Sequence, residues 1–259
     1  MMIVLSAALG ILSLMTVLWL FSIYFKNVSI VDNFWGIGFI IAALIYAFNC
    51  EVMFIRTKLM LLLVILWGLR LSLYLMYRNY GKGEDYRYRE FRQHYGPKRY
   101  WWFSFFQVFL LQGILILIIS LPLLGITLFT SSNSLNLFDY LGLLAWLVGF
   151  VFETVGDYQL VVFKGDPDNK GKLLTSGLWR YTRHPNYFGD TAVWWGFGLL
   201  AIASGAYWYS LGSLLMTYLI LKISGVALLE KSLSEVKPGY EEYVRTTSAF
   251  FPWFPKQKS

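Results

Sequence analysis

Residues 177–190 read GLWRYTRHPNYFGD. Two arginines, one of the chain's two histidines, an asparagine and an aspartate crowd against an apolar run. Pro185 is placed for the first turn of a helix. Asn186 and Asp190, four apart, then share one face of that helix. A helix N-terminus offers free N–H groups and a positive dipole, which hold anions. Arg180, Arg183 and His184 add donors around it. A second polar pair lies upstream in FETVGDYQL, where Glu153 and Asp157 are also four apart and put two carboxylates on one helix face. Next comes a basic connector with Lys164, Lys170 and Lys172, punctuated by Gly165, Pro167, Asn169 and Gly171.

Other polar residues stand inside apolar runs. Asp32 and Asn33 occur in SIVDNFWG, and Arg70 in LWGLRLSLY. An ionisable group within a membrane span costs several kcal/mol unless paired or wet, so each is a site candidate. Blander roles compete. Asp32 and Asn33 can cap a helix start, and Arg70 can snorkel to the surface. Glu153 and Asp157 can form a structural ion-pair network, and residues 163–190 a solvated, membrane-hugging loop. Familiar nucleotide and hydrolase signatures are missing. GKGEDY at 81–86 follows no strand and is no dinucleotide fingerprint. There is no Walker sequence and no Gly-x-Ser-x-Gly elbow. Two histidines and one cysteine, far apart, give no zinc site.

The elements that carry these residues follow from composition. The chain is 57% hydrophobic and 14% charged, against about 25% charged in soluble domains. It reads as an all-α integral membrane protein, and 259 residues suffice for one bundle of helices of about 20 apolar residues each. Apolar runs at 2–25, 28–48, 58–77, 102–129, 138–163, 186–206 and 208–229 predict seven spans. Lys and Arg concentrate at 78–99, 164–183 and in the tail, and are missing after the fourth and sixth runs. The positive-inside rule then puts those basic loops and the C-terminus in the cytoplasm and the N-terminus outside. In this setting a net charge of +7 speaks for cytoplasmic loops and not for nucleic acid. The first apolar run is too long and continuous for a cleaved signal peptide. The lone Cys50 excludes an internal disulfide. With no repeat or linker, residues 1–259 read as a single membrane domain.

GKLLTSGLWRYTRHPNYFGD, with GDYQL before it and YEEYVRTTSAFFPWFP after the last span, resembles the steroid 5α-reductase superfamily, in particular its bacterial branch of unknown function. The resemblance covers about residues 150–255 and is weaker over 1–100, which it makes the substrate-side helices. That superfamily includes sterol reductases, trans-2-enoyl-CoA reductases and, more distantly, isoprenylcysteine carboxyl methyltransferases, which share the Arg-His-Pro-x-Tyr-x-Gly motif. By this resemblance Asp32 and Asn33 fall where reductases keep a Gln-Glu pair at the substrate carbonyl, and Trp67 near their substrate-binding Tyr. Arg70 falls near an Arg that contacts the cofactor, and Glu153 where reductases have Asn. Asp157, Lys164, Lys172, Asn186 and Asp190 fall on cofactor-pocket positions, joined by Arg180, Tyr181, Arg183 and His184 of the motif region.

The implied activity is NADPH-dependent reduction of a conjugated C=C bond in a steroid-like or other lipidic enone. Hydride passes to the β-carbon while negative charge grows on the carbonyl oxygen, which needs a donor. Asp32 is the candidate, as an acid kept neutral by burial, with Asn33 or Trp67 assisting. NADPH carries the hydride, and its phosphates suit the basic loops. The alternative is an S-adenosylmethionine-dependent methyltransferase. Those enzymes show a Glu-Glu pair after the last span, where this chain has Glu230 and Lys231. A non-catalytic lipid-binding or scaffold protein would not need Glu153, Asp157, Asn186 and Asp190 to converge. The expected setting is multi-pass in a bacterial inner membrane. The expected partners are a lipidic substrate and membrane lipid, with no metal, nucleic acid or obligatory protein partner.

Overall fold

The computed structural model describes residues 2–226 and 239–256. Every regular element among them is helical, and no strand is present. Among the described residues, four helices are long and apolar enough to cross a membrane: α1 (Met2–Phe25), α4 (Ile55–Asn79), a composite Pro97–Phe129, and α9 (Leu137–Gly165). They match the predicted runs at 2–25, 58–77, 102–129 and 138–163. The predicted run at 28–48 forms two pieces, α2 (Ile30–Asn33) and the shorter apolar α3 (Trp35–Phe48), broken at Phe34. The run at 186–206 becomes α10 (Pro185–Ala203). The last run begins as a 3-10 turn, Tyr207–Ser210, then α11 (Leu211–Tyr218) and a π-helical turn, Leu219–Ser224. Its continuation to 229, with Glu230 and Lys231, lies outside the described residues.

The composite helix carries two irregularities with local causes. α6 (Pro97–Ser104) passes through a π turn, Phe105–Leu110, into α7 (Leu111–Ile119). A break at Ser120 then separates α8 (Leu121–Phe129), because Pro122 lacks an N–H and restricts the residue before it. The basic connector 80–97 is ordered as α5 (Tyr86–Tyr95), whose N-cap Asp85 accepts from the Arg87 N–H at 3.0 Å.

The chain divides into two compact units. The first comprises Met1–Ser134 and Ser204–Tyr209, the second Leu135–Ala203 and Ser210–Ser259. In the first, α1 buries one stripe, Ala7, Ile11, Met15, Leu18 and Ser22. Its other faces stay apolar and exposed, as a helix against lipid requires. α3 and α4 cross at Gly36 and Gly68, where a Cβ on Gly36 would collide with the Gly68 carbonyl. Hydrogen bonds mark the two ends of this unit. At one, the Asp85 N–H donates to Ser29 Oγ (2.7 Å) and the Val28 N–H to Glu84 (2.8 Å). At the other, the Ile55 N–H donates to Asn133 Oδ1 (2.9 Å) and Arg56 to the Ser134 carbonyl (3.2 Å). The Cys50 thiol there reaches the Thr127 carbonyl at 3.6 Å. The broken segment α2–α3 therefore runs from one end to the other.

The second unit is built on the α9–α10 pair. Gly142, Gly149 and Gly156 repeat every seven residues on α9, and Gly189 and Gly196 on α10. A Cβ on Gly149 would lie 2.5 Å from the Gly189 carbonyl oxygen and the Val193 nitrogen, so the two backbones touch. A capping box of Asn136 and Asp139 starts α9, and Asn136 Nδ2 ties that start to the Ala203 carbonyl at 2.9 Å. A last helix, α12 (Tyr240–Thr246), follows the undescribed segment.

Candidate functional site

The glycine seam determines which side chains meet in the second unit. Glu153 and Asp157 face α10, each 3% exposed. Asn186 Nδ2 donates to Asp157 Oδ1 at 3.1 Å, while Asn186 Oδ1 accepts the Tyr187 N–H at 3.1 Å. Gly189 lies against the Glu153 backbone, where any side chain would clash. Asp190 follows it on α10, half-buried. The connector folds back onto the same stretch of α9. Trp179 Nε1 donates to the Gly156 carbonyl (3.1 Å), and the Leu178 N–H to Gln159 Oε1 (3.0 Å). Arg180 follows these anchors, and Lys164 lies seven residues, about two turns, beyond Asp157. Arg180, Lys164 and Lys172 are exposed. The result is a polar cluster at the seam, with Glu153 and Asp157 buried and Asn186 and Asp190 half-buried, and with basic side chains exposed on the connector and helix end.

For Arg183 two roles are open in the sequence, meeting phosphate or fixing the loop. In the structure it holds the loop. It is 7% exposed, and its N–H donates to the Ser248 carbonyl at 2.9 Å. Nη1 donates to the Thr247 carbonyl (2.6 Å) and the Val244 carbonyl (3.2 Å), at the negative end of α12. Around it, Thr182 Oγ1 donates to the Phe250 carbonyl (2.8 Å) and the Trp253 N–H to the Tyr181 carbonyl (2.9 Å). Tyr243 Oη donates to the Trp179 carbonyl. Burial pushes the Tyr243 phenol up, against the opposing charge of Arg183. Tyr181 is exposed and sets its ring edge against Phe254. His184, 2% exposed, stacks on Tyr187 at 5.6 Å. These C-terminal partners are invisible to periodicity, since they come from segments some 60 residues apart.

In the first unit Asp32 is the centre of a network. Its carboxylate accepts from Arg87 Nη2 (3.1 Å), Tyr88 Oη (2.7 Å) and Gln112 Nε2 (3.3 Å). Asp85 holds Arg87 from the other side at 2.9 Å. This is an acceptor's environment, so Asp32 does not have the setting of the neutral donor expected from the sequence. The proton sits on Tyr88, whose phenol is held well above its usual range by burial and by the negative charge of Asp32. Asn33 Oδ1 accepts from Asn79 Nδ2 at 2.8 Å. Trp67 is fully buried, edge-on to Phe39 at 5.7 Å. Arg70 lies over the Tyr74 ring at 5.4 Å, a ring it shares with Arg78 at 5.8 Å. Arg87, Tyr88 and Gln112 escape sequence reasoning; the one signal was Gln112, a polar residue inside an apolar run.

Residues 18–247 match the family described as "Protein of unknown function (DUF1295)", and the chain belongs to it. An uncharacterized protein of Schizosaccharomyces pombe is 28% identical over 91% of this chain and 76% of its own length. A probable O-methyltransferase of Ustilaginoidea virens is 44% identical over 70 residues, 27% of this chain and 24% of that protein. No solved structure matches the chain.

Proposed function

We propose that this DUF1295 member is a membrane-bound, NADPH-dependent reductase of conjugated C=C bonds in lipidic enones, of the steroid 5α-reductase type. The observation that carries the reading is the Asp157–Asn186 hydrogen bond at the glycine seam, with Glu153 buried and Asp190 half-buried one turn along their helices, and with Lys164 and Arg180 exposed on the helix end and the connector. A dinucleotide presents both matching chemistries. Its ribose hydroxyls and carboxamide N–H groups suit buried carboxylates and an amide, and its phosphates suit Lys and Arg. Lys164, Lys172 and Arg180 take the 2′-phosphate and pyrophosphate. Asn186 and Asp190 hold the ribose or nicotinamide, and Arg183 and His184 keep the wall in place.

When bound, NADPH supplies the hydride. In the first unit the Asp32 network, with the Tyr88 hydroxyl and the Asn33 and Gln112 amides, offers the kind of donors that a carbonyl oxygen needs. The chain crosses the membrane seven times in this reading, with the N-terminus outside and the C-terminus in the cytoplasm of a bacterial inner membrane. Support comes from the first unit. The turn after α3 and the loop after α8 share one end, and the turn after α1 and the loop before α5 share the other.

One observation favours a second reading, S-adenosylmethionine-dependent methylation. The similar protein of Ustilaginoidea virens is described as a probable O-methyltransferase, and buried carboxylates also suit a sulfonium and an ammonium group. Thermal shift of the purified protein with NADPH, NADH and S-adenosylmethionine in parallel separates the two. Stabilisation by NADPH above NADH supports the reductase, and stabilisation by S-adenosylmethionine alone replaces it with the methyltransferase.

A further inference from the structure

The first unit contains a cavity of about 750 Å³ that the proposed reaction does not use. It is lined by the end of α1, by α5 and by the start of α6. Three cations line it, Lys26, Arg89 and Arg92, against one carboxylate, Glu84. That carboxylate is already engaged. It takes two hydrogen bonds from Arg92, at 2.8 and 2.9 Å, and one from the Val28 N–H at 2.8 Å. The lining therefore keeps a positive excess on Lys26 and Arg89.

Two further features point to an absent anion. Tyr100 is fully buried in this lining, and its hydroxyl has no hydrogen-bond partner among the described residues. A buried unpaired donor is costly, so its persistence calls for an acceptor. Lys26 has φ +51°, and no other described residue except glycine has positive φ. It follows the last residue of α1, and the Asn27 N–H reaches back to the Ser22 carbonyl at 3.0 Å. This closing turn normally takes glycine. A lysine there is strained, and its side chain lines the cavity.

The surroundings identify the ligand's class. Tyr24, Phe25 and Trp102, next to lining residues on α1 and α6, and Trp101, itself in the lining, are exposed, as aromatic residues at headgroup depth are. A free phosphate would have no use for this belt. We propose that the cavity binds the phosphate headgroup of an anionic membrane lipid, with Lys26, Arg89 and the Tyr100 hydroxyl donating to its oxygens. The acyl chains lie outside, on the exposed apolar face of α1.

The test uses the full chain purified in detergent. Thermal unfolding is followed while dioctanoyl phosphatidylglycerol, dioctanoyl phosphatidylcholine or inorganic phosphate is titrated. The anionic lipid is expected to bind at least about tenfold more tightly than the zwitterionic one with the same chains. Arg89→Gln and Tyr100→Phe are each expected to lose about tenfold of that affinity. Lys26→Gly separates binding from folding, because glycine accepts positive φ without strain. Its unliganded Tm should equal or exceed that of the parent while its lipid affinity falls. Equal affinity for both lipids overturns the proposal, and so does stabilisation by inorganic phosphate alone. Parent-like lipid binding by both Lys26→Gly and Tyr100→Phe overturns it as well.

Discussion

At the scale of single residues, the two polar clusters predict different failures. Asn186 bridges Asp157 and its own helix start. In the proposed pocket Asn186→Ala and Asp190→Ala each remove a contact to the nucleotide. A hydrogen bond to a charged group is worth about 1.5–3 kcal/mol, so NADPH affinity should fall about tenfold or more in each variant. Isothermal titration on protein that still elutes as a single species checks this, and unchanged affinity in both would remove the span-six motif from the pocket. Tyr88→Phe should act on turnover instead. It takes away the proton on the Asp32 network and leaves the carboxylate paired with Arg87. NADPH affinity should stay within about twofold, while NADPH oxidation with enones drops about a hundredfold, the scale of one lost oxyanion donor. Retained turnover would move the carbonyl donor elsewhere.

At the scale of elements, the helix pair α9–α10 is what brings four distant polar residues together. The repeat Gly142, Gly149, Gly156 is written in the sequence, yet its meaning depends on a partner helix that presents Gly189 and Gly196 at the same spacing. Hydrophobic runs located α1, α4, α9 and the composite helix well, since each is a local property of about 20 residues. The break at Phe34 and the network on Asp32 were not legible. The network rests on residues about 55 to 80 positions away. Prediction at this scale is steric. A Cβ on Gly189 would meet the Glu153 nitrogen and the Gly149 carbonyl, which are backbone and cannot swing aside. Gly189→Ala should therefore cost about 1–3 kcal/mol, the usual range for overpacking. Gly165→Ala, with nothing within 4 Å of the new methyl, is the matched control. Melting curves in one detergent should show a lowered Tm for the first and a parent-like Tm for the second. Equal Tm values would mean that the seam is not close-packed.

At the scale of the whole molecule, the question is how the chain threads the bilayer. The charge pattern predicts 78–99, 164–183 and the tail on one side. Hydrogen bonds add an argument independent of charge. Ser29 and Asp85 meet at one end of the first unit, Ile55 and Asn133 at the other, so α1, the α2–α3 segment, α4 and the composite helix alternate in direction. The segment 30–48 has too short an unbroken helix to qualify alone, yet it covers the same distance as its neighbours by running on through its break. Counting it as a crossing makes the number before residue 134 even, so the proposed topology puts residue 131 on the same side as the N-terminus, outside. In that topology α9, α10 and the last apolar run are proposed to return the tail to the cytoplasm. Cys50 is the only cysteine, which makes the test clean. In a Cys50→Ser background, His94→Cys and Lys256→Cys should resist a membrane-impermeant maleimide in intact cells, and Ser131→Cys should react. Labelling of positions 94 and 131 from the same side would overturn the alternation, and with it the cytoplasmic face on which the nucleotide is proposed to bind.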